Sequence, residues 1–169
     1  MVQMGESAVG AYLRLCIGCE IVTYNQRLSK IPNEMGETDV LGIDIDRTTI
    51  YICEVVTHLG GILYGSGNES TLKKLTEKFE RAAEYGSRAF PNHRLVLMLW
   101  APNVPVGYLT NGLQALQERL AKRHYLLELR INRAYAESID ELRELAHQVT
   151  KDYGEPFFRA LQILEHLRR

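Results

Sequence analysis

The chain has 169 residues, of which 46% are hydrophobic, and its 20 basic and 21 acidic side chains nearly cancel to a formal net charge of −1. This composition fits a single domain over residues 1–169, and the near-neutral charge excludes a global attraction to nucleic acid or to an anionic membrane. The sequence shows neither a basic, apolar leader nor an apolar stretch of the roughly 18 residues that a membrane span needs. We therefore expect a cytoplasmic protein without a membrane partner.

The predicted elements begin with a helix over residues 7–27, where apolar side chains recur at helical spacing. A loop over 28–37 carries Pro, Asn and Gly and leads into two strands, 38–46 and 50–58, which should form a hairpin. The stretch GGILYGSGNES then continues the second strand or adds a short third one.

The second half of the chain alternates helices and strands. A helix is predicted to stop at Gly86, and the continuously apolar RLVLMLWAP after it is typical of a central strand covered on both faces. A helix over 108–122, a strand over 124–134 and one or two helices from Ser138, where a capping-box pattern begins, complete the prediction. The segment 137–169 is expected to be a helical extension of the same domain. Its amphipathic end covers either that domain's core or a second copy of the chain in a homodimer.

The three cysteines are an odd number, which indicates reduced thiols and no disulfide framework. Cys16 and Cys19 form a C-x-x-C, but no second pair follows that would complete a tetrahedral zinc site. Packing in a core is therefore favoured over metal binding or redox chemistry.

The order of elements predicts an α/β fold, in which a mixed sheet of at least four strands has helices on both sides. Two acids, Asp39 and Glu54, stand among the apolar residues of the predicted hairpin. A turn centred at 47–48 would place Asp39 opposite Val56, so that both acids share one face with Cβ atoms roughly 7 to 8 Å apart. Two converging carboxylates repel each other, and a divalent cation such as Mg²⁺ or Mn²⁺ reverses the sign of that interaction.

The predicted helix, the loop ending in ETDVLGID and the hairpin into YICEVVTH resemble the core of the PD-(D/E)xK nuclease superfamily, the restriction-endonuclease-like fold with αβββαβ order. The resemblance implies Mg²⁺-dependent hydrolysis of phosphodiester bonds, with DNA as the expected partner. Glu20 in CIGCEIVTYNQR resembles the family's helix acid, and Asp39 in ETDVLG resembles its metal-bridging Asp. Glu54 in CEVV resembles the first residue of its acid-x-Lys pair. The resemblance thus implies Glu20, Asp39 and Glu54 as metal ligands, and the last two as catalytic residues.

The chain departs from the family pattern at the lysine, because that position is Val56. His58 lies two residues further on the same strand face, and Lys73, Lys74 and Lys78 on the following helix could reach the site from the side. A surface histidine at a strand end and a solvated helix face explain these residues equally simply. A catalytic role is accordingly predicted for His58 or for a helix lysine such as Lys73.

Two classes of function follow from these residues. One is a metal-dependent nuclease, and the other is a nuclease-fold protein that has lost catalysis and serves as a nucleic-acid-binding or assembly subunit. A site for a small phosphorylated ligand stays open, because carboxylates with Mg²⁺ do not specify a polymer. Surface positions or a structural ion pair would also account for Asp39 and Glu54, and Asp44 and Asp46 are expected to serve the turn.

Overall fold

The computed structural model describes residues 2–27, 36–61 and 64–168. Most of the predicted loop at 28–37, and residues 62 and 63 of the predicted strand continuation, lie outside these ranges. The helices and strands are, in chain order, α1 Met4–Tyr12, β1 Ile21–Arg27, β2 Glu37–Asp44, β3 Thr49–Val55, α2 Asn68–Ala89, β4 Arg94–Ala101, α3 Tyr108–Ala121, β5 Leu126–Ile131, α4 Arg133–Gln148 and α5 Pro156–Leu167.

The described strands form one five-stranded sheet in the order β1-β2-β3-β4-β5. Strands β1, β2 and β3 are antiparallel neighbours, whereas β3, β4 and β5 run parallel. The predicted mixed sheet, the hairpin and the interior position of β4 are therefore confirmed.

The predicted helix over 7–27 is wrong in its second half. α1 continues only through a π-helical turn, Leu13–Ile17, and then stops at Gly18, whose φ of 96° is left-handed. The backbone N–H groups of Gly18 and Cys19 both close back onto the carbonyl of Leu13, which completes the helix end. The following IVTYNQR is rich in β-branched and aromatic side chains and pairs with β2 as the edge strand β1. The third strand of the antiparallel set thus precedes the hairpin and does not follow it.

Two predicted helix ends also differ from the structure. α2 runs past Gly86 to Ala89. Gly86 does not end the helix but is a buried packing position inside it, where a Cβ atom would come within 2.7 Å of Leu95. α4 begins at Arg133, and Ser138 lies buried inside it with its hydroxyl donating to the carbonyl of Ala134, so Ser138 is not a cap. In the part of the chain that the structure describes, no helix has both the length and the apolarity to cross a membrane.

Helices cover both faces of the sheet. On one face, side chains of α2 and α3 pack against alternate residues of β4, Leu97 and Leu99. On the other, α1, α4 and α5 pack against Val96, Met98 and Trp100. This alternation explains why β4 is apolar from Leu95 to Ala101.

The hairpin register differs from the predicted one by two residues. Leu41 pairs with Ile52, because the turn occupies residues 45–48 and Asp44 Oδ1 accepts the N–H of Arg47 at 2.7 Å. The expectation that Asp44 serves the turn is confirmed. A two-residue shift keeps every side chain on its face, so Asp39 and Glu54 still share one, and they lie directly opposite each other.

Candidate active site

A cavity of about 480 Å³ opens where the start of α1, the start of β2, the end of β3 and the middle of α2 meet. The charged side chains of its lining are those of Glu6, Glu37, Asp39, Glu54, Lys78 and Arg81. Glu37 and Arg81 are exposed, whereas the other four are buried or half-buried and come from four different elements.

The hairpin supplies the two central carboxylates. Asp39 stands near the start of β2 and Glu54 near the end of β3, and the antiparallel register brings these two ends together. Asp39 is half-buried, and its Oδ2 accepts the backbone N–H of Val55 at 2.6 Å. Glu54 is 6% exposed. Both acids therefore lie at the sheet end with little water around them.

Lys78 supplies the cation that the buried acids require. Its ammonium is paired with Glu54 Oε1 across the space between α2 and β3. The hydroxyl of Tyr64 donates to the same oxygen at 3.0 Å, and the Lys78 ammonium lies 5.3 Å from the centre of the Tyr64 ring. Tyr64 is itself fixed to α2, because its N–H donates to Thr71 Oγ1 at 2.8 Å.

Glu6 is a further buried carboxylate of the cavity, and it was not predicted from the sequence. It is 6% exposed on the first turn of α1. Its Oε2 accepts the backbone N–H of Gln3 at 2.9 Å and the side-chain amide of Asn25 at 3.3 Å. A Cβ atom on the neighbouring Gly5 would come within 2.4 Å of Thr57, so glycine is needed for the helix to approach the end of β3 this closely. An acid three residues after the start of a helix was the signal available in the sequence.

The environment of Asp39 disfavours its charge. Burial, and then the nearby charge of Glu54, raise the pKa of Asp39 from 3.8 to about 7, although the Val55 hydrogen bond and Lys78 act in the opposite direction. Near neutral pH the protonated and ionised forms of this carboxyl group therefore coexist, and a cation at the site would favour the ionised form.

Glu20, predicted as the helix acid, lies in a bend between α1 and β1 and not on a helix. Its Oε2 accepts the N–H of Ile45 at 2.8 Å, at the turn end of the hairpin. Asp39 is six residues from Ile45 along a strand, which corresponds to roughly 20 Å. The structure therefore does not bring Glu20 to Asp39 and Glu54.

The other predicted candidates also lie apart from the cavity, among the residues that the structure describes. His58 is exposed three residues beyond β3, and Lys73 is exposed on α2; neither lines the cavity. Lys74 does not line the cavity either, and its ammonium lies 6.0 Å from the centre of the Tyr64 ring. Val56, at the position of the family's lysine, is 5% exposed in the core. Of the predicted helix lysines, Lys78 is the one that reaches the acids.

The donor set suits a hard divalent cation. Glu6, Asp39 and Glu54 each use one carboxylate oxygen in the hydrogen bonds described above, and in the described part of the chain the second oxygen of each accepts none. Mg²⁺ commonly takes one or two carboxylates and completes its octahedron with water and phosphate oxygens. Among the described residues, however, no three acid, His or Cys side chains stand where together they could hold a metal ion.

Cys16 and Cys19 are free thiols that pack beneath the sheet with the side chains of α1, and Cys53 joins them. The predicted preference for packing is confirmed. Burial raises the pKa of Cys16 to about 11 and that of Cys19 to about 12, which disfavours the thiolate form that metal binding requires.

Comparisons of the chain with protein-family models, with curated proteins and with solved structures found no match.

Proposed function

We propose that this chain is a Mg²⁺-dependent nuclease that hydrolyses phosphodiester bonds in DNA, built on a restriction-endonuclease-like core. The observation that carries the proposal is the convergence of Glu6, Asp39, Glu54 and Lys78 on one cavity from four elements. The described order of α1, three antiparallel strands, α2 and a strand parallel to β3 supports the same core.

In this proposal Glu6 takes the role that the sequence analysis gave to Glu20. Lys78 takes the role of the lysine that Val56 replaces, reaching the site from α2 and not from β3. Its ammonium already contacts Glu54. A cation at that position stabilises the charge that builds up on the phosphate as water adds to phosphorus and the ester oxygen leaves.

Asp39 and Glu54 would hold the divalent ion, with the Glu6 carboxylate in the same cavity. Such an ion would supply activation of a water nucleophile and stabilisation of charge on the leaving oxygen. Tyr64 holds Glu54 in place through its hydroxyl, which leaves Oε2 of Glu54 available to the ion. Burial of these groups strengthens each electrostatic contact with the substrate.

Cleavage of plasmid DNA in Mg²⁺ or Mn²⁺ tests the proposal. We expect Asp39→Asn and Glu54→Gln to abolish metal binding in calorimetry as well as cleavage. Lys78→Met should keep metal binding but lose about 100-fold or more in rate. Glu6→Gln should weaken both properties, whereas Glu20→Gln should leave both within about two-fold of wild type if Glu6 is the helix acid.

Three results would contradict parts of this assignment. Wild-type protein that binds no divalent metal at millimolar concentration would exclude the nuclease. Cleavage by Lys78→Met at the wild-type rate would exclude the catalytic role proposed for Lys78. Metal and DNA binding without cleavage would instead favour the alternative, a nuclease-fold binding or assembly subunit, in which the Lys78 and Glu54 pair is purely structural.

A further inference from the structure

α2 presents three basic side chains at a spacing that places them along one line of the helix surface. Lys74, Lys78 and Arg81 are related by four and three residues, so they follow one another along roughly 10 Å of the helix axis. Lys78 and Arg81 line the cavity, whereas the ammonium of Lys74 lies 6.0 Å from the centre of the ring of Tyr64, whose hydroxyl donates to Glu54. We call these three residues the α2 basic stripe.

The outer members of the stripe keep their charges available. In the part of the chain that the structure describes, neither Lys74 nor Arg81 forms a salt bridge with a carboxylate, and the guanidinium of Arg81 donates to the backbone carbonyl of Glu77 at 3.1 Å. Arg119 on α3, by contrast, is paired with Glu80 of α2. Both Lys74 and Arg81 are exposed.

An acidic face adjoins the α2 basic stripe. Glu77, Glu80 and Glu84 share a shallow surface with Arg81 on the outer side of α2. A polyanion would be attracted by the α2 basic stripe and repelled by the neighbouring acidic face. A bound polyanion would therefore follow the stripe along the helix. The middle member of the stripe, Lys78, is paired with Glu54 of the cavity.

We infer that the α2 basic stripe binds the phosphate backbone of a DNA strand and leads it into the cavity, so that the substrate is a polymer and not a small phosphorylated ligand. This inference rests on the proposed function. Successive phosphates of one strand advance by about 3.4 Å along a DNA duplex, so the stripe spans about three nucleotides. A single phosphate group held by Lys78 would not need Lys74 and Arg81.

The test measures DNA binding separately from cleavage, with a labelled oligonucleotide in Ca²⁺ and fluorescence anisotropy between about 50 and 200 mM salt. We expect Lys74→Ala and Arg81→Ala each to weaken binding by about three- to ten-fold at the lower salt concentration. Each should also lower the slope of log affinity against log salt by about 0.7 to 0.9, the value for one lost phosphate contact.

Lys73→Ala is the matched control, because Lys73 is exposed on the same helix but lies about 140° around its axis from Lys78. It should change neither the affinity nor the slope. Unfolding curves of the three variants will show whether the fold is intact, and a charge-preserving Arg81→Lys should restore most of the slope.

An unchanged slope in Lys74→Ala and Arg81→Ala, or an equal loss in Lys73→Ala, would overturn the inference while leaving the metal and cleavage results untouched. A mononucleotide that competes as strongly as the oligonucleotide would assign a small ligand instead. Tighter binding of an RNA probe, with the same slope losses, would overturn the choice of DNA. Loss of metal-dependent cleavage with the slope changes intact would count against the proposed nuclease alone.

Discussion

The ionised form of Asp39 destabilises the folded state. Its pKa is raised from 3.8 to about 7, first by burial and then by Glu54, so the folded state binds this proton more tightly than the unfolded state does. The associated stability is complete below about pH 4 and is lost as the pH rises through about 7. As the pH rises from about 5 to about 8, the free energy of unfolding of Asp39→Asn should therefore increase by about 1 to 2 kcal/mol relative to that of the wild type. This figure is reduced to allow for the partial exposure of Asp39.

Urea unfolding in EDTA at these two pH values measures this difference. Asp46→Asn, which changes an exposed acid of the hairpin turn, is the control for the substitution itself and should change the stability by less than about 0.5 kcal/mol. Mg²⁺ should stabilise the wild type more at about pH 8 than at about pH 5, because the ion competes with the proton on Asp39. An identical pH slope for Asp39→Asn and wild type would mean that this carboxylate does not titrate as described.

At the residue scale, sequence alone identified the two hairpin acids of the cavity but neither Glu6 nor the choice of Lys78 among the helix lysines. Asp39 and Glu54 were predictable because residues on one strand face alternate, and even a register error of two residues keeps them together. Glu6 and Lys78 come from helices whose positions depend on tertiary packing, and local pattern does not encode that packing. Lys78 was one of three equivalent lysines in the sequence, and only the packing of Leu75 and Phe79 into the core distinguishes its side of α2.

At the scale of elements, the contact between α1 and β1 determines where Glu6 lies. A Cβ atom on Gly10 would stand 2.0 Å from the hydroxyl oxygen of Tyr24, so the helix can lie this close to the strand only with glycine there. Gly10→Ala should destabilise the protein by about 1 to 3 kcal/mol, the usual cost of overpacking. It should also weaken metal binding, because Glu6 lies one turn before Gly10.

Chemical unfolding and calorimetric metal titration check both parts of this prediction. Gly60→Ala is the control, since no atom of the described residues, apart from Gly60 and its two chain neighbours, lies within 4 Å of the Cβ position there. Unchanged metal affinity in a destabilised Gly10→Ala would show that α1 does not position Glu6.

The elements predicted correctly are those whose signals are local and agree with each other. β4 is continuously apolar after Arg94, and α3 and α5 have helical periodicity with Gly or Pro at their starts. The segment that became β1 was misread because its apolar residues also fit helical spacing after Cys16. The competing signals were Gly18 and the β-branched residues that follow it, and pairing with β2 resolved the ambiguity.

At the scale of the whole molecule, the fold class was predictable from the alternation of helices and strands, but the closure of the C-terminal part onto the N-terminal part was not. Glu155, at the start of α5, is 5% exposed and joins two early elements. It accepts the Tyr24 hydroxyl at 2.7 Å from β1 and the Arg14 guanidinium at 3.0 Å from the π-helical turn. These contacts span 131 and 141 residues of sequence, a distance over which no local pattern carries information.

This closure makes the last helix part of the support for the site. Glu155→Ala would leave the half-buried Tyr24 hydroxyl and Arg14 without their shared acceptor, at a cost of about 2 kcal/mol. The matched control is Glu137→Ala, which removes an exposed pair with Arg133 on α4 and should cost less than about 0.5 kcal/mol. Because Tyr24 packs against Gly10 of α1, hydrogen exchange should report faster opening of α1 and α5 together in Glu155→Ala. Faster exchange in α5 with α1 unchanged would show that the two helices open independently and that the terminal helix does not support Glu6.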